Sequence, residues 1–385
     1  MSKKVCIYCG KEFEEKNMTR EHVIPQVIGG NIEEQNPFIA YNVCKRCNNV
    51  AGTFIDGVFS KQILVNAYIN TIKTRYTDIN INPFIPPAYL GKLSDIKFND
   101  KICEMWVEYD GSSIFHFHKP YEENESTNVV GKPTYMKFDE IDKGFLFVYI
   151  NSNNPIWQTT VVNSVRKTFK DTIIYLGNGS SKICEIFSEI PPELKDLHGF
   201  ITKKLHNKEQ FKVGLCTDLH INDRFTCKMA LGMSAIFLKD EFALTDEAIQ
   251  LRNGMWAREP EAFDDIKVHG QGLVYSIGEV DQYLKMDNCH VITLIKLKEG
   301  IFLKLSLWGK MSSTILLTKD ENMLKEEMPD GYGLVYVIAP GLKKCVGPIA
   351  LSRYIASISG INTDERLVEL KKEIDEVPEF PPKRI

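Results

Sequence analysis

Cys6-Ile7-Tyr8-Cys9-Gly10 opens a segment that runs through Thr19-Arg20-Glu21-His22-Val23-Ile24-Pro25 and Gly29-Gly30. It closes on Asn42-Val43-Cys44-Lys45-Arg46-Cys47-Asn48-Asn49. Two Cys-x-x-Cys pairs bracket an acid and a histidine side by side, followed by a proline and two glycines. Thiolates at that spacing fold back onto one tetrahedral ion, and four of them close its shell. Cys6, Cys9, Cys44 and Cys47 are therefore expected to hold a structural Zn²⁺. A segment this short buries little apolar surface and needs such a staple.

Between the cysteines, Thr19 to Pro25 alternates polar and apolar residues and stops at the proline, which predicts a short strand entering a loop. Gly29-Gly30-Asn31 signals a turn. Phe38 to Val43 is a second short strand. A helix then opens at Asn48-Asn49, with Phe54, Ile55, Val58, Phe59, Ile63, Leu64 and Ala67 on one face. The segment thus reads strand, loop, strand, helix, pinned at both ends by cysteine pairs.

Further along, Ile79 to Pro87 is Pro-rich and marks a domain boundary, giving a module over residues 1–78 and a body over 79–385, subdivided near 185–215. Strands are expected at 105–109, 113–118, 144–150 and 172–176. A helix over 223–238 is apolar nearly all round and so should be buried. Another helix follows Thr245, capped by it and with acids in its first turn. Strands return at 272–276, 290–295, 301–305 and 333–338, and helices close the chain at 350–359 and 364–375. The tail from Pro378 should fray. The fold class is α+β: a small zinc-stapled module followed by a larger mixed body.

The bulk numbers fit a globular protein: 385 residues, 43% hydrophobic, 25% charged, net charge −4. No apolar run is long enough for a membrane helix and no signal-peptide pattern leads the chain, so a cytoplasmic location is expected. The six scattered cysteines read as small buried hydrophobes of a reducing compartment. Residues 1–80 hold ten Lys/Arg against eight Asp/Glu, so the acidic excess lies in the rest of the chain. An acidic body weakens non-specific DNA binding, and any basic groove must be local.

On Cys6-x-x-Cys9, Glu21-His22-Val23-Ile24-Pro25, Gly29-Gly30 and Cys44-x-x-Cys47-Asn48, residues 1–60 resemble the HNH endonuclease family in its cysteine-flanked form. The resemblance implies a ββα-metal fold around one catalytic divalent cation. It implies that His22 is the general base, taking a proton from the water that attacks phosphorus. It implies that Glu21 is a metal ligand, at the position usually held by Asp, and that Asn48, often His in the family, is the second. Asn36 and Asn42 compete for the role of the middle asparagine that orients the base-carrying loop; Asn42 is the preferred candidate. A carboxylate and an amide oxygen form a hard ligand set, so Mg²⁺ or Mn²⁺ is expected at the catalytic site.

Arg20, Lys45 and Arg46 are candidate phosphate contacts or plain surface charges. Asp56 reads as an ordinary helix acid before an extra ligand. Elsewhere, Gly177 to Lys182 lacks phosphate-loop spacing and reads as a hairpin turn. His116 and His118 share one strand face and read as a solvent-facing pair. Cys216, His220 and Cys227 lack a fourth ligand. The four tryptophans, Trp106, Trp157, Trp256 and Trp308, read as core or interface residues.

The function expected is metal-dependent hydrolysis of double-stranded DNA, with the body giving target choice, regulation or dimerisation. A homodimer would let each protomer serve one strand. A restriction or antiphage role rests on analogy. Two rivals stand beside it: a zinc-stabilised nucleic-acid-binding module with a degenerate nuclease site, and an effector nuclease switched on by a small-molecule or protein activator.

Overall fold

The structure, a computed structural model, describes residues 3–33, 35–76, 87–108, 110–120, 144–170, 172–179, 189–214, 219–258, 270–275 and 282–377. It is a mixed α+β fold. The chain forms two compact units that do not follow chain order: Met1–Ser60 joins Leu219–Pro378, and Lys61–Asp218 is inserted between them. Residues 79–86 of the Pro-rich stretch and the C-terminal tail from 378 lie outside the described residues.

The first segment opens with strands β1 (Lys3–Val5) and β2 (Glu12–Glu14), an antiparallel pair around the first cysteine turn. Strands β3 (Met18–His22) and β4 (Ile39–Cys44) form a second antiparallel pair, with a register shift between Thr19 and Glu21. Helix α1 (Lys45–Ala51) follows, begins three residues earlier than the pattern suggested, and includes the second cysteine pair's Cys47. A π-helical turn over Gly52–Asp56 carries it into α2 (Gly57–Phe59). The strand, loop, strand, helix order read from the sequence is the one observed.

The inserted unit starts with α3 (Ile63–Tyr76). Its sheet is built from β5 (Ala88–Phe98), β6 (Lys101–Val107), β7 (Ser113–His118), β8 (Phe145–Ile150), β9 (Ile173–Asn178) and β10 (Val213–Gly214), in the order β10-β5-β6-β7-β8-β9. Helix α4 (Pro155–Thr168) makes the crossover that lets β8 and β9 run parallel. Helix α5 (Lys195–His206) contributes Ile201 to the other face. The sequence pattern missed α4, α5 and β5. Alternating residues put Phe115, Phe117, Phe145 and Phe147 in one apolar layer, and Ile114, Leu146 and Val148 in the other, with Val161 and Val165 of α4. Gly177 and Asn178 end strand β9; residues 180–182 of that motif, read as a hairpin turn, lie outside the described residues.

The first unit resumes with α6 (Leu219–Phe237), buried through its middle as its composition required, and α7 (Asp246–Trp256), capped by Thr245 Oγ1, which accepts from Ala248 N at 3.3 Å. A second six-stranded sheet follows: β11 (Gly270–Tyr275), β12 (His290–Leu297), β13 (Gly300–Leu307), β14 (Met311–Thr318), β15 (Gly333–Ala339) and β16 (Lys344–Ala350), in the order β11-β14-β13-β12-β15-β16. Helices α8 (Leu351–Ile358) and α9 (Glu365–Glu376) pack Tyr354, Leu367, Leu370 and Ile374 against Val291, Val335 and Val337. Strands β14 and β16 were not anticipated, although Ile315-Leu316-Leu317 forms an apolar run within β14. Among the described residues no helix is long and apolar enough to cross a membrane.

Candidate functional site

The four knuckle cysteines come together. Their sulfurs all lie within 4.8 Å of one another, with Cys6, Cys44 and Cys47 buried. Backbone N–H groups point at the cluster: Cys44 N donates to Cys6 Sγ at 3.3 Å. The Cys6 thiol is drawn down to about 5, chiefly by a hydrogen bond from Cys47 and further by the N–H groups of Cys44, Tyr8 and Cys9, against burial. The same bond pushes Cys47 up. Four sulfurs at this spacing, one of them already favoured as thiolate, fit a tetrahedral zinc.

His22 ends β3, half-buried, at the mouth of the loop that returns to β4. Its Nδ1 lies 3.3 Å from the Gly30 carbonyl oxygen, which can only accept, so Nδ1 carries the proton. Nε2 then holds the lone pair and accepts from the Gln26 side-chain amide at 3.1 Å. Gly30 O also accepts from Asn36 Nδ2 at 2.8 Å, while Asn36 Oδ1 accepts from Phe38 N at 2.9 Å. Asn36 therefore ties together the two ends of the loop that holds the histidine. Asn42, favoured from the sequence, lies on β4, and its Oδ1 is buried without a hydrogen bond among the described residues.

The two glycines are required for different reasons. Gly29 has φ of 109°, in the left-handed region. A Cβ on Gly30 would stand 1.7 Å from Ile24 O, so only glycine lets the loop close there.

Glu21 faces inward. It is 4% exposed, and its Oε1 accepts from Tyr8 Oη at 3.0 Å and from Lys228 Nζ at 2.9 Å. Lys228 comes from α6, is fully buried, and also reaches Asp56 Oδ2 at 3.3 Å and Val23 O at 2.8 Å. Burial opposes the Lys228 charge, but Asp56 and Glu21 together hold its pKa above the usual lysine range. Burial pushes Asp56 up to about 6; Lys228 pulls it down, and the Glu21 charge raises it again. Asp56 is thus part of a buried ion cluster rather than a surface helix acid. Lys228 was not singled out in the sequence. Its signal was present: a lone cation within Cys227-Lys228-Met229-Ala230-Leu231 has to be paired if the helix is buried.

Asn48 lies inside α1, and its Nδ2 donates to Thr19 Oγ1 at 3.0 Å and to Arg20 O at 3.1 Å. Both of its bonds are made by the nitrogen, which leaves Oδ1. Both bonds of Glu21 fall on Oε1, which leaves Oε2. Among the described residues one carboxylate oxygen and one amide oxygen thus carry no hydrogen bond, and both are hard donors of the type Mg²⁺ and Mn²⁺ take. Arg20, Lys45 and Arg46 are exposed on β3 and α1.

Residues 219–377 clasp this segment. Arg252 Nε donates to Ile7 O at 2.9 Å and its Nη2 to Ala243 O; Trp256 Nε1 donates to Tyr8 O at 2.6 Å. His290 Nε2 donates to Ile28 O at 2.6 Å, and its Nδ1 accepts from Trp308 N at 3.2 Å. Lys343 Nζ pairs with Glu33 at 2.5 Å. Phe59 stacks on Phe225 with ring centroids 3.8 Å apart. None of the contacts to residues 7–59 was foreseen, because each of them acts across more than a hundred residues of chain.

Residues 6–64 match the HNH endonuclease family, and the segment is an HNH endonuclease domain with a four-cysteine cluster. Such a domain implies a nucleic-acid substrate. The match ends at residue 64 and leaves the role of the remainder open. No curated protein and no solved structure matches the chain.

Proposed function

We propose that the protein is a metal-dependent endonuclease that hydrolyses phosphodiester bonds of double-stranded DNA, with His22 as general base. The observation that carries this reading is the fixed imidazole. With Nδ1–H donated to Gly30 O, His22 presents Nε2 as a base, and among the described residues the only group found on it is the side-chain amide of Gln26. A water taking the place of that N–H would give its proton to Nε2 as it attacks phosphorus. Asn36 acts as a positioning residue, since the carbonyl it holds is the one that sets the tautomer.

Glu21 Oε2 and Asn48 Oδ1 would hold the divalent cation. Bound there, it would polarise the phosphate and offset charge on the leaving oxygen. Arg20, Lys45 and Arg46 would contact neighbouring phosphates without reading sequence. A single site of this kind cuts one strand, so double-strand cleavage would need two copies of the chain.

The test is nicking and linearisation of supercoiled plasmid with Mg²⁺ or Mn²⁺. Wild type should cut. His22→Ala should lose at least a hundredfold in rate, at the low end of general-base effects, which span roughly 10²–10⁴. Equal cutting by both proteins would overturn the reading.

One observation favours a second reading. Glu21 is buried and its Oε1 is held by Lys228 and Tyr8, so an internal ammonium already occupies part of the space beside the carboxylate. A nucleic-acid-binding module without cleavage would follow if Glu21 cannot take a cation. Mn²⁺ titration by calorimetry on wild type and Asn48→Ala separates the two: heat lost in the variant supports the nuclease, and no heat in either supports the binding module.

A further inference from the structure

We propose a second zinc site in the inserted unit, formed by Glu104, His116 and His118. The register of β6 and β7 sets Glu104 opposite His116, and His118 follows two residues along on the same face. Far from facing solvent, His116 is 2% exposed, His118 is fully buried and Glu104 is 4% exposed. One ligand atom from each lies within 4.8 Å of the other two.

The protons do not account for this arrangement unaided. His118 Nδ1 lies 2.7 Å from Lys119 O, and a carbonyl only accepts, so Nδ1 is the donor. A neutral ring then carries its lone pair on Nε2. That atom faces Glu104 Oε2 at 3.4 Å. Glu104 Oε1 accepts from Tyr89 Oη at 3.3 Å, whereas Oε2 is buried and receives no hydrogen bond among the described residues. Two lone pairs facing each other in a low-dielectric interior repel unless a positive charge stands between them.

The spacing points to which charge. Charge-assisted N–H···O⁻ bonds close to about 2.7–2.9 Å. The edge of a tetrahedron with bonds of about 2.0–2.1 Å, those of Zn–N and Zn–O, is about 3.3 Å. The 3.4 Å between Nε2 and Oε2 fits the edge and not the bond. The backbone carbonyl on Nδ1 is also the contact that fixes a ligating histidine for its metal. Two imidazoles and a carboxylate form a borderline nitrogen and oxygen set, suited to Zn²⁺. Phe169 packs edge-on against His116 at 5.2 Å and helps seal the site, whose three protein ligands would leave the fourth zinc position to a water or another group.

The test uses the full-length protein, saturated with Zn²⁺ and dialysed against excess Mg²⁺ to clear weak sites. Elemental analysis should find one zinc fewer per chain in Glu104→Gln and in His118→Gln than in wild type. Unchanged zinc in both variants would overturn the site and leave an ion pair sharing a proton. If the variants do not fold, X-ray absorption on the wild type decides. A first shell mixing sulfur near 2.3 Å with nitrogen and oxygen near 2.0 Å, plus imidazole outer-shell scattering, supports the site. A pure sulfur shell overturns it. This outcome does not depend on whether the HNH segment cuts DNA.

Discussion

Residues 3–60 and residues 219–377 build one compact unit, but they carry different kinds of information. The first segment is held from within. Its four cysteines and its Glu21-His22 pair sit at short, fixed spacings, and its loop is closed by Asn36 and two glycines. The second segment states no chemistry of its own, yet it supplies Lys228, Arg252, Trp256 and His290 to the first. A small four-cysteine segment can be recognised alone while its conformation is also held by distant parts of the chain. Which hold matters more is open to measurement.

The internal hold should be the stronger. Structural zinc sites contribute on the order of 10 kcal/mol of apparent binding free energy in small domains. Stripping the metal with a chelator, or Cys47→Ser, should therefore lower the unfolding midpoint more than any substitution below and abolish cleavage. A midpoint unchanged on stripping would show that the outer clasp suffices.

Lys228 should come next. Lys228→Met leaves Glu21 and Asp56 buried with no cation, at a cost of roughly 3–5 kcal/mol read from denaturant unfolding. Adding Glu21→Gln and Asp56→Asn should recover most of that loss, because a neutral cluster no longer needs the ammonium. Failure to recover would mean that Lys228 acts through its packing instead.

His290 gives the clasp a pH signature. Burial holds this imidazole down to about 4, although its bond to Ile28 O raises it. The unfolded chain titrates near 6.5, so it binds more protons than the folded chain below that value. The contribution is complete above pH 6.5 and is lost as pH falls toward 4, about 3 kcal/mol in all. Stability of wild type should decline across that window, and His290→Gln should flatten the decline. An equal slope in the variant would place the acid sensitivity elsewhere.

What the sequence made legible follows the same division. Cys-x-x-Cys and Glu21-His22 are local patterns, and local geometry is enough to bring each pair together. Lys228 was legible only as an anomaly, a charge in an apolar helix, and its partners were 172 and 207 positions away in the chain. His116 and His118 were visible as a strand pair, but their burial and their neighbour Glu104 depend on the register of β6 and on helix α4, which pattern reading missed. Strand spacing tells which residues share a face. It does not tell which face is covered.

The smallest expected effect bears on the choice between two asparagines. Asn42 was the preferred candidate from the sequence, yet its carboxamide does not join the His22 loop network among the described residues. Asn36 holds Gly30 O, and through it the proton on His22 Nδ1. Asn36→Ala should lower kcat by roughly 10–100-fold with little change in KM, because misplacing a base by about 1 Å costs that order. Its pH–rate profile should also shift, since a freed imidazole can exchange tautomers and change basicity. Asn42→Ala should leave both untouched, and its stability should rise or hold, because a buried acceptor without a partner is removed. Loss of rate in Asn42→Ala with Asn36→Ala unaffected would reverse the assignment. It would also show that the loop is held from β4 rather than from its own far end.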